Sequence, residues 1–296
     1  MLANQVEHKD PIKESELIIT PKGRIYHLDL HPDEIAQNII VVGDQNRVER
    51  ISARFDSIET KVEHREFVTH TGLFKGKRIS AVSTGIGCDN IDIVVNELDA
   101  AVNIDFDTRL PKEEKTKLNI IRLGTSGSLQ ENIDVDSFVC STYGLGFDGV
   151  LGFYNSAFEE DELALEKAFK SGINWPDRAN PPYFVRGSEK LIDQLGKEMH
   201  RGITATANGF YGPQGRSLRL AAAVPDLNEQ LANFAYNGHR ITNFEMETSA
   251  LYGLGGLLGH ETCTVCAIIA NRFKREYSKD YKKTVEELID VVLDRI

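Results

Sequence analysis

The sequence predicts a single-domain α/β fold in which helices cover both faces of a central sheet. Its 296 residues are 41% apolar, which is enough to bury one large core. Short β-branched runs alternate with segments whose apolar residues recur at helical spacing. No stretch has the composition of an interdomain linker. We therefore expect one domain over residues 1–296, with an elaboration at about residues 145–182, where the periodic signal is weaker.

The first half of the chain begins with a strand at residues 39–42, an Ile-Ile-Val-Val run that stops at a glycine. A helix is predicted from residue 47, and a hairpin follows, with strands at 67–73 and 79–84 around Lys75-Gly76-Lys77. A helix at 89–104 leads to a strand at 118–123, which ends in a predicted glycine-rich turn at 124–127. The next strand, 138–142, enters a second glycine-rich stretch.

The second half repeats this alternation with less regularity. Helices are predicted at residues 161–170, 188–200, 228–236 and 247–258, and strands at 203–207 and 262–270. A closing helix is indicated by one apolar stripe, formed by Val285, Leu288, Ile289, Val292 and Ile296.

Charge and terminal composition limit the function classes. A net charge of -11 argues against general nucleic-acid binding, which needs an excess of lysine and arginine. An anionic ligand would need arginines gathered locally in a cleft. Residues 1–20 contain no signal-peptide core or membrane span, so we expect a soluble, cytoplasmic protein without a membrane partner. The four cysteines are interpreted as reduced thiols.

Two segments are candidates for anion binding. Gly43 lets backbone NH groups approach an oxyanion, and Arg47 adds charge at a helix start; a plain helix cap with a surface arginine is the alternative. Arg122 lies in an apolar strand, where an unpaired guanidinium is expensive to bury, so it needs an anionic partner. That partner is either a protein carboxylate or a ligand at the adjacent Gly-Thr-Ser-Gly segment.

Two further segments suit a nucleoside. Phe210, Gln214 and Arg216 offer an aromatic plane, a carboxamide and a forked cation, which together could hold the edge of a nucleobase; a surface turn is the alternative. Glu245 and Glu247 place two carboxylates where a helix begins, and such acids also favour a helix dipole without any ligand.

These segments, in this order, make the chain resemble the nucleoside phosphorylase family. The resemblance runs from Ile25 to the C-terminal helix and breaks down mainly within residues 145–182. The shared landmarks are Gly43-Asp44 with Arg47, His64-Arg65, residues 83–87, 122–127 and 210–216, Glu245-Met246-Glu247, and Asn271-Arg272. The resemblance implies a three-layer sandwich whose central mixed sheet is partly barrel-like and flanked by helices.

The resemblance also implies residue roles. The phosphate site would comprise Gly43, Arg47, Arg122 and Thr125, with Arg65 reaching in from a neighbouring subunit. The ribose site would comprise Thr125, Glu245, Met246 and Glu247, with His27 supplied by the neighbour. The base site would comprise Phe210, Gln214, Arg216, Ile269 and Arg272. Arg216, Gln214 and His27 are the residues implied to act in catalysis.

The base-site pattern favours the uridine branch of the family. Bacterial purine-specific members carry an aspartate, in a Ser-Asp pair, after the late strand, whereas this chain reads Ile269-Ala270-Asn271-Arg272 in that region and lacks the acid. The Phe-x-x-x-Gln-x-Arg pattern typical of the uridine branch is present. The implied reaction is reversible phosphorolysis of uridine, or deoxyuridine, to uracil and the pentose 1-phosphate in pyrimidine salvage. A purine nucleoside phosphorylase or a nucleosidase is the alternative, and Pro213 leaves the preference among uridine, deoxyuridine and thymidine open.

Assembly and cofactors follow from the same resemblance. Shared sites imply a homo-oligomer, either a dimer or a hexamer built from dimers. Phosphate is a co-substrate and no cofactor is required, although family members can hold a potassium ion at the subunit interface, where Asn90 replaces the usual serine.

Two other motifs point to different classes of protein. Residues 144–149 match the dinucleotide fingerprint, but no helix start follows them, so a dehydrogenase or a non-catalytic NAD- or nucleoside-binding protein is a weaker hypothesis. Cys263 and Cys266 have metal-ligand spacing, yet residues three apart in a strand face opposite sides of the sheet. We therefore expect no metal site.

Overall fold

The computed structural model describes residues 2–3 and 8–296, and they form a mixed α/β domain around one large sheet. The strands are β1 (Leu2–Ala3), β2 (Asn38–Val42), β3 (Ser57–His64), β4 (Phe67–Phe74), β5 (Lys77–Ser83), β6 (Ile104–Asp105), β7 (Leu110–Pro111), β8 (Asn119–Ser128), β9 (Phe138–Gly146), β10 (Ser156–Ala157), β11 (Tyr183–Arg186), β12 (His200–Thr206), β13 (Ala235–Tyr236), β14 (His239–Glu245), β15 (Glu261–Asn271) and β16 (Glu276–Tyr277). The α-helices are α1 (Gln45–Ser52), α2 (Cys88–Asn103), α3 (Glu160–Gly172), α4 (Glu189–Leu195), α5 (Leu227–Asn233), α6 (Thr248–Leu258) and α7 (Tyr281–Arg295).

The central sheet is partly closed into a ring. Its strands run in the order β13-β14-β12-β9-β15-β8-β2-β5-β4-β3, and β8 also pairs with β14 through Phe244↔Gly127 and Asn243↔Ser128. That second pairing joins β14, β12, β9, β15 and β8 into a closed circuit, while β2 to β5 extend from it as an open sheet. Parallel and antiparallel pairs both occur, so the predicted mixed, partly barrel-like sheet is confirmed.

Helices cover both faces of the sheet, as predicted. Along β2, Ile39 and Val41 pack toward α2 and α6, whereas Ile40 and Val42 pack toward α1, α4 and α7. This alternation is the period-2 geometry of a strand that is buried on both sides. A third apolar cluster lies under α3 and α5 beside the ring. Residues 145–182 include the last residues of β9 and the whole of β10 and α3. Helix α3 packs on β11.

The predicted turn at residues 124–127 is wrong, because β8 continues through it to Ser128. The segment is paired with β15 on one side, whereas on the other side only Gly127 is paired, with β14, and residues 124–126 have no strand partner there among the described residues. The glycine is required by packing instead. A Cβ on Gly124 would lie 2.0 Å from Nη1 of Arg122 and 2.9 Å from Sγ of Cys266.

The predicted helix at 188–200 is too long. Helix α4 ends at Leu195, and His200 begins strand β12, whose partners include β9. Gly196 follows the helix, and a Cβ there would lie 2.7 Å from the carbonyl oxygen of Ile192. The closing helix is confirmed over α7. Within residues 2–3 and 8–296, no helix is both long and apolar enough to cross a membrane.

Candidate active site

A cavity of about 760 Å³ opens where β2, β8, β14 and β15 end, and it collects most of the predicted site residues. Those that line it are Gly43, Arg47, Arg122, Thr125, Phe210, Gln214, Arg216, Glu245, Met246, Glu247 and Ile269. Three predicted residues, His27, Arg65 and Arg272, do not line it. Segments far apart in the sequence therefore converge on one cleft, as the edge of an α/β sheet allows.

Arg47 lies at one end of the cavity with much of its donor capacity unused. Helix α1 presents it in its first turn, after Asp44 caps the helix by accepting from the Asn46 NH at 3.0 Å. Its side chain is 8% exposed, Nη1 donates to the Leu123 carbonyl at 3.0 Å, and the buried Nε has no partner among the described residues. Burial and then the charge of Arg122 lower its pKa. An anion beside Arg47 would relieve both costs.

Arg122 is paired with protein carboxylates. Its Nη2 contacts Oε2 of Glu247, and its Nη1 lies 3.2 Å from Oε2 of Glu245 and 3.6 Å from Sγ of Cys266. Burial alone would lower the Arg122 pKa, but the two carboxylates outweigh it and raise the pKa above the ordinary value. The carboxylate partner left open by the sequence is therefore present. The role of Arg122 toward phosphate stays a prediction.

Glu245 acts as the N-terminal cap of α6. Its carboxylate accepts from the backbone NH groups of Glu247 at 2.9 Å and Thr248 at 3.0 Å, and from the hydroxyl of Thr206 at 2.7 Å. Burial raises its pKa, and Arg122 opposes this. The carboxylate thus fixes where α6 begins and how the following residues face the cavity. Sequence reasoning missed Thr206, because nothing in its local pattern distinguishes it from any other strand threonine.

Glu247 is held between two donors. Its Oε1 accepts from the Gly87 NH at 2.8 Å, while Oε2 contacts Arg122. Gly87 has φ of +102°, a conformation that favours glycine, and its NH points at the carboxylate because of it. The Ser-Thr-Gly-Ile-Gly landmark therefore orients the acid at the middle of the cavity.

The other end of the cavity is formed by a carboxamide clamped between two arginines. Oε1 of Gln214 accepts from Nη1 of Arg216 at 2.7 Å and from Nη2 of Arg272 at 2.5 Å. Nη1 of Arg272 also donates to the Gln214 backbone carbonyl at 2.6 Å. Both lone pairs of Oε1 are used, whereas Nε2 bonds no other described residue and remains available to a ligand in the cavity that Gln214 lines.

At this end, neither Arg216 nor Arg272 has a carboxylate partner among the described residues. Burial, followed by the charge of Arg216, lowers the pKa of Arg272 to about 9. Arginine nonetheless stays protonated near neutral pH. The two charged guanidiniums therefore have no anionic counter-ion among the described residues. Arg216 also stacks on the ring of Phe210, with its central carbon 3.8 Å from the ring centroid, so a base entering here would meet that pair.

The two residues predicted to serve a neighbouring site point away from this cavity. Arg65 is exposed in the tight turn between β3 and β4, and its guanidinium bonds the Tyr26 hydroxyl at 3.2 Å. His27 is bound through Nδ1 to Glu97 of α2 at 2.6 Å. Neither could complete the cavity of its own chain in this arrangement.

The Cys263–Cys266 pair and the glycine motif of residues 144–149 have structural roles. Cys263 lies 3.7 Å from the sulfur of Cys140, whereas Cys266 faces Arg122, so the pair does point to opposite sides of β15. Within the described part of the chain, no group of three or more His, Cys, Asp or Glu is arranged to hold a metal ion. Residues 144–146 of the glycine motif belong to β9, and a Cβ on Gly144 would lie 2.8 Å from Cα of Ser249.

Fold and cleft together define a mixed α/β enzyme site that is cationic at one end, acidic in its middle and lined by donors at the other end. The family model described as "Phosphorylase superfamily" matches residues 38–295, and the chain belongs to this superfamily. A uridine phosphorylase of Thermococcus kodakarensis is 32% identical over 89% of this chain and 83% of its own length. A DeoD-type purine nucleoside phosphorylase of Clostridium perfringens is 27% identical over 90% of this chain and 97% of its own length.

A solved structure is similar over nearly the whole fold. It is a nucleoside phosphorylase of Trypanosoma brucei described as showing uridine phosphorylase activity, with a TM-score of 0.86 and 28% identity. The similarity covers 94% of this chain and 98% of that one.

Proposed function

We infer that this chain is a uridine phosphorylase, a pentosyltransferase that cleaves uridine with phosphate to give uracil and ribose 1-phosphate. Relatives and a structural neighbour with this activity match most of the chain. The observation that carries the inference within the molecule is the donor-only base end, where Arg216 and Arg272 saturate Oε1 of Gln214. Pyrimidine salvage is the role we propose for the reaction.

At the base end the chemistry requires stabilisation of a leaving anion. When the bond between C1′ and the uracil N1 breaks, its electron pair stays on uracil and spreads to the ring oxygens. Nε2 of Gln214 and the guanidinium of Arg216 would donate to those oxygens, since both side chains line the cavity. Donors fixed before the reaction stabilise charge that develops in the transition state without reorganising. Arg272 holds Gln214 in the required orientation.

At the opposite end, phosphate would bind at Arg47 and Thr125 and supply the oxygen that attacks C1′. Strand β8 runs from the phosphate end to the base end of the cavity. Its residues Arg122 and Gly127, the latter beside Arg272, are five positions apart, which is about 16 Å of extended chain. That length accommodates base, ribose and phosphate in a row. Holding both reactants in one cleft converts a bimolecular step into an effectively unimolecular one.

The ribose would lie between these ends, beside Glu247 and Met246. Glu247 is held in place by Gly87 and Arg122, so a carboxylate is oriented toward the centre of the cavity. Because Glu245 is occupied as the α6 cap, we assign it a supporting role rather than a direct contact.

A purine substrate is the second candidate, since purine phosphorylases are among the relatives. Asn271 argues against it. The residue is 1% exposed, and its Nδ2 donates to the carbonyls of Gln130 and Ile133 at 3.0 and 2.8 Å, while Oδ1 accepts from the Lys274 NH. The position therefore braces a loop and offers no carboxylate to a purine ring nitrogen.

We propose that the enzyme is a homo-oligomer with shared sites, either a dimer or a hexamer of dimers. Arg65 bonds the Tyr26 hydroxyl, has no carboxylate partner among the described residues and does not line its own cavity, while Ile86 on the cavity rim is 67% exposed. Co-expressing Arg65→Ala with Arg47→Ala tests the sharing. Each variant alone should be nearly inactive, whereas mixed oligomers should regain part of the activity because one site per pair keeps both arginines. No recovery in mixed oligomers would exclude a shared site.

Further parts of the proposal concern cofactors and location. We propose that phosphate alone is the co-substrate, because the reaction moves a pentose between two nucleophiles without redox change; a potassium ion near Asn90 would be structural. The four cysteines are buried free thiols, which supports a cytoplasmic location.

One assay tests the activity. The protein is incubated with uridine, deoxyuridine, thymidine or inosine, each with and without phosphate, and the free base is followed by absorbance. Uracil released only in the presence of phosphate supports the proposal. Base release without phosphate would indicate a nucleosidase, hypoxanthine released from inosine would indicate the purine activity, and no release would indicate a binding protein.

A further inference from the structure

A second cavity adjoins the active-site cavity and shares a wall with it. Its volume is about 910 Å³, and Asp44, Arg47, Thr125, Ile269 and Tyr277 line both spaces. Of these, Arg47 and Thr125 belong to the proposed phosphate end and Ile269 to the predicted base site, while Phe210, Gln214 and Arg216 do not line the second cavity. The second cavity is therefore adjacent to the place where an anion is needed.

The heads of two helices form the outer part of this cavity. Its lining includes Asp44 and Asn46 at the start of α1, and Asp280 and Tyr281 at the start of α7. Both aspartates cap their helices, since Asp44 accepts from the Asn46 NH at 3.0 Å and Asp280 from the Lys283 NH at 3.2 Å. These carboxylates offset the partial positive charge of the two helix N-termini, so the positive charge of the cavity comes from its side-chain cations.

Cations complete the lining. Arg50, Lys282 and Lys283 face this cavity, and only Arg50 is tightly engaged, by Glu286. The nearest carboxylate oxygen to the Lys283 ammonium is 3.8 Å away, on exposed Glu287. Within the described part of the chain, Lys282 has no carboxylate within 4.0 Å. In a protein of net charge -11, this gathering of cations is local.

Arg47 connects the two spaces. It is more than nine-tenths buried, yet its Nε proton has no acceptor among the residues that the structure describes. A buried donor without a partner costs about 1–3 kcal/mol. An anion at the shared wall would satisfy it, so the case for an anion in the second cavity rests on Arg47 together with the two lysines.

We propose that the second cavity is an oxyanion dock through which inorganic phosphate reaches Arg47, separately from the nucleoside. Phosphate is held first by Lys282 and Lys283, and then passes to Arg47 and Thr125. Uridine occupies the other cavity, so phosphate can enter while the nucleoside is bound. This rests on the phosphorolytic activity proposed above.

Lys282→Glu tests the dock. An acidic residue in the first turn of α7 is compatible with the helix dipole, so the variant should fold normally. Electrostatic steering by a charged cleft changes association by ~10-fold or more, so reversing one of its few cations should raise the KM for phosphate at least about threefold. The KM for uridine and kcat should stay unchanged, and the difference should shrink at high ionic strength. Lys167→Glu, an exposed site on α3, is the charge-matched control.

Calorimetric titration with inorganic phosphate makes the same comparison without turnover. The Kd for phosphate should rise about threefold in Lys282→Glu and remain at the wild-type value in Lys167→Glu. An unchanged phosphate KM and Kd in Lys282→Glu would overturn the dock, as would an equal rise in the control. If the wild type released no uracil, the proposed function would fail, whereas the calorimetric comparison would still decide whether phosphate uses this cavity.

Discussion

Replacing Gln214 with glutamate should separate stability from activity at the base end of the cleft. The two side chains have the same shape, and Oε1 already accepts from Arg216 at 2.7 Å and from Arg272 at 2.5 Å. A carboxylate would convert these contacts into ion pairs and satisfy guanidiniums that burial leaves short of negative charge. It would also remove the Nε2 donor and place negative charge where uracil must carry it.

The expected loss of activity follows from that missing donor. A hydrogen bond to a charged group is worth about 1.5–3 kcal/mol, and 1.36 kcal/mol corresponds to tenfold in rate. Gln214→Glu should therefore lower kcat/KM for uridine by about 10- to 150-fold, and repulsion between the carboxylate and the leaving uracil adds to this. The midpoint of thermal unfolding should not fall below that of the wild type, because Arg216 and Arg272 gain a counter-ion.

Phosphorolysis followed by uracil absorbance and thermal unfolding followed by circular dichroism check the two halves of this prediction. Asn132→Asp, at an exposed position that does not line the cavity and whose side chain bonds no other described residue, controls for the added charge and should change neither. Near-wild-type kcat/KM in Gln214→Glu would refute the assignment of Nε2 to the base. A lowered midpoint with normal activity would refute the arrangement of the two arginines around Oε1.

Two further changes test the scaffold around the site. Thr206→Val removes the hydroxyl that bonds Glu245 at 2.7 Å. The free energy of unfolding, measured in urea, should drop by about 1–3 kcal/mol, and kcat/KM for uridine should fall. Unchanged values of both would contradict the capping role. Gly72→Ala would place a Cβ 2.1 Å from the Ser57 carbonyl oxygen in the neighbouring strand, and overpacking of this kind costs about 1–3 kcal/mol, whereas Gly152→Ala, with no atom within 4 Å, should leave the unfolding midpoint in place.

Local sequence patterns were enough to predict strand β2 and helix α7. The β-branched run of β2 and the apolar stripe of α7 each present a period that only one kind of element satisfies, and both elements occur where they were predicted. The pattern failed at residues 124–127, where glycines indicated a turn. There β8 continues because β15 and β14 supply pairing partners and because Gly124 must leave room for Arg122.

The candidate site likewise has features that the sequence determined and features that only the structure decided. The sequence by itself determined which groups are present: arginines beside glycines, a pair of acids before a helix, and an aromatic-amide-guanidinium triplet, because residue type and spacing are local properties. Only the tertiary structure decided how they are used. It paired Arg122 with Glu247, oriented the Gln214 amide through its bond to Arg272, and left the Nε of Arg47 without a partner among the described residues. The physical reason is that hydrogen-bond partners are chosen by long-range packing, which brings together residues 125 positions apart in the first pair and 58 apart in the second.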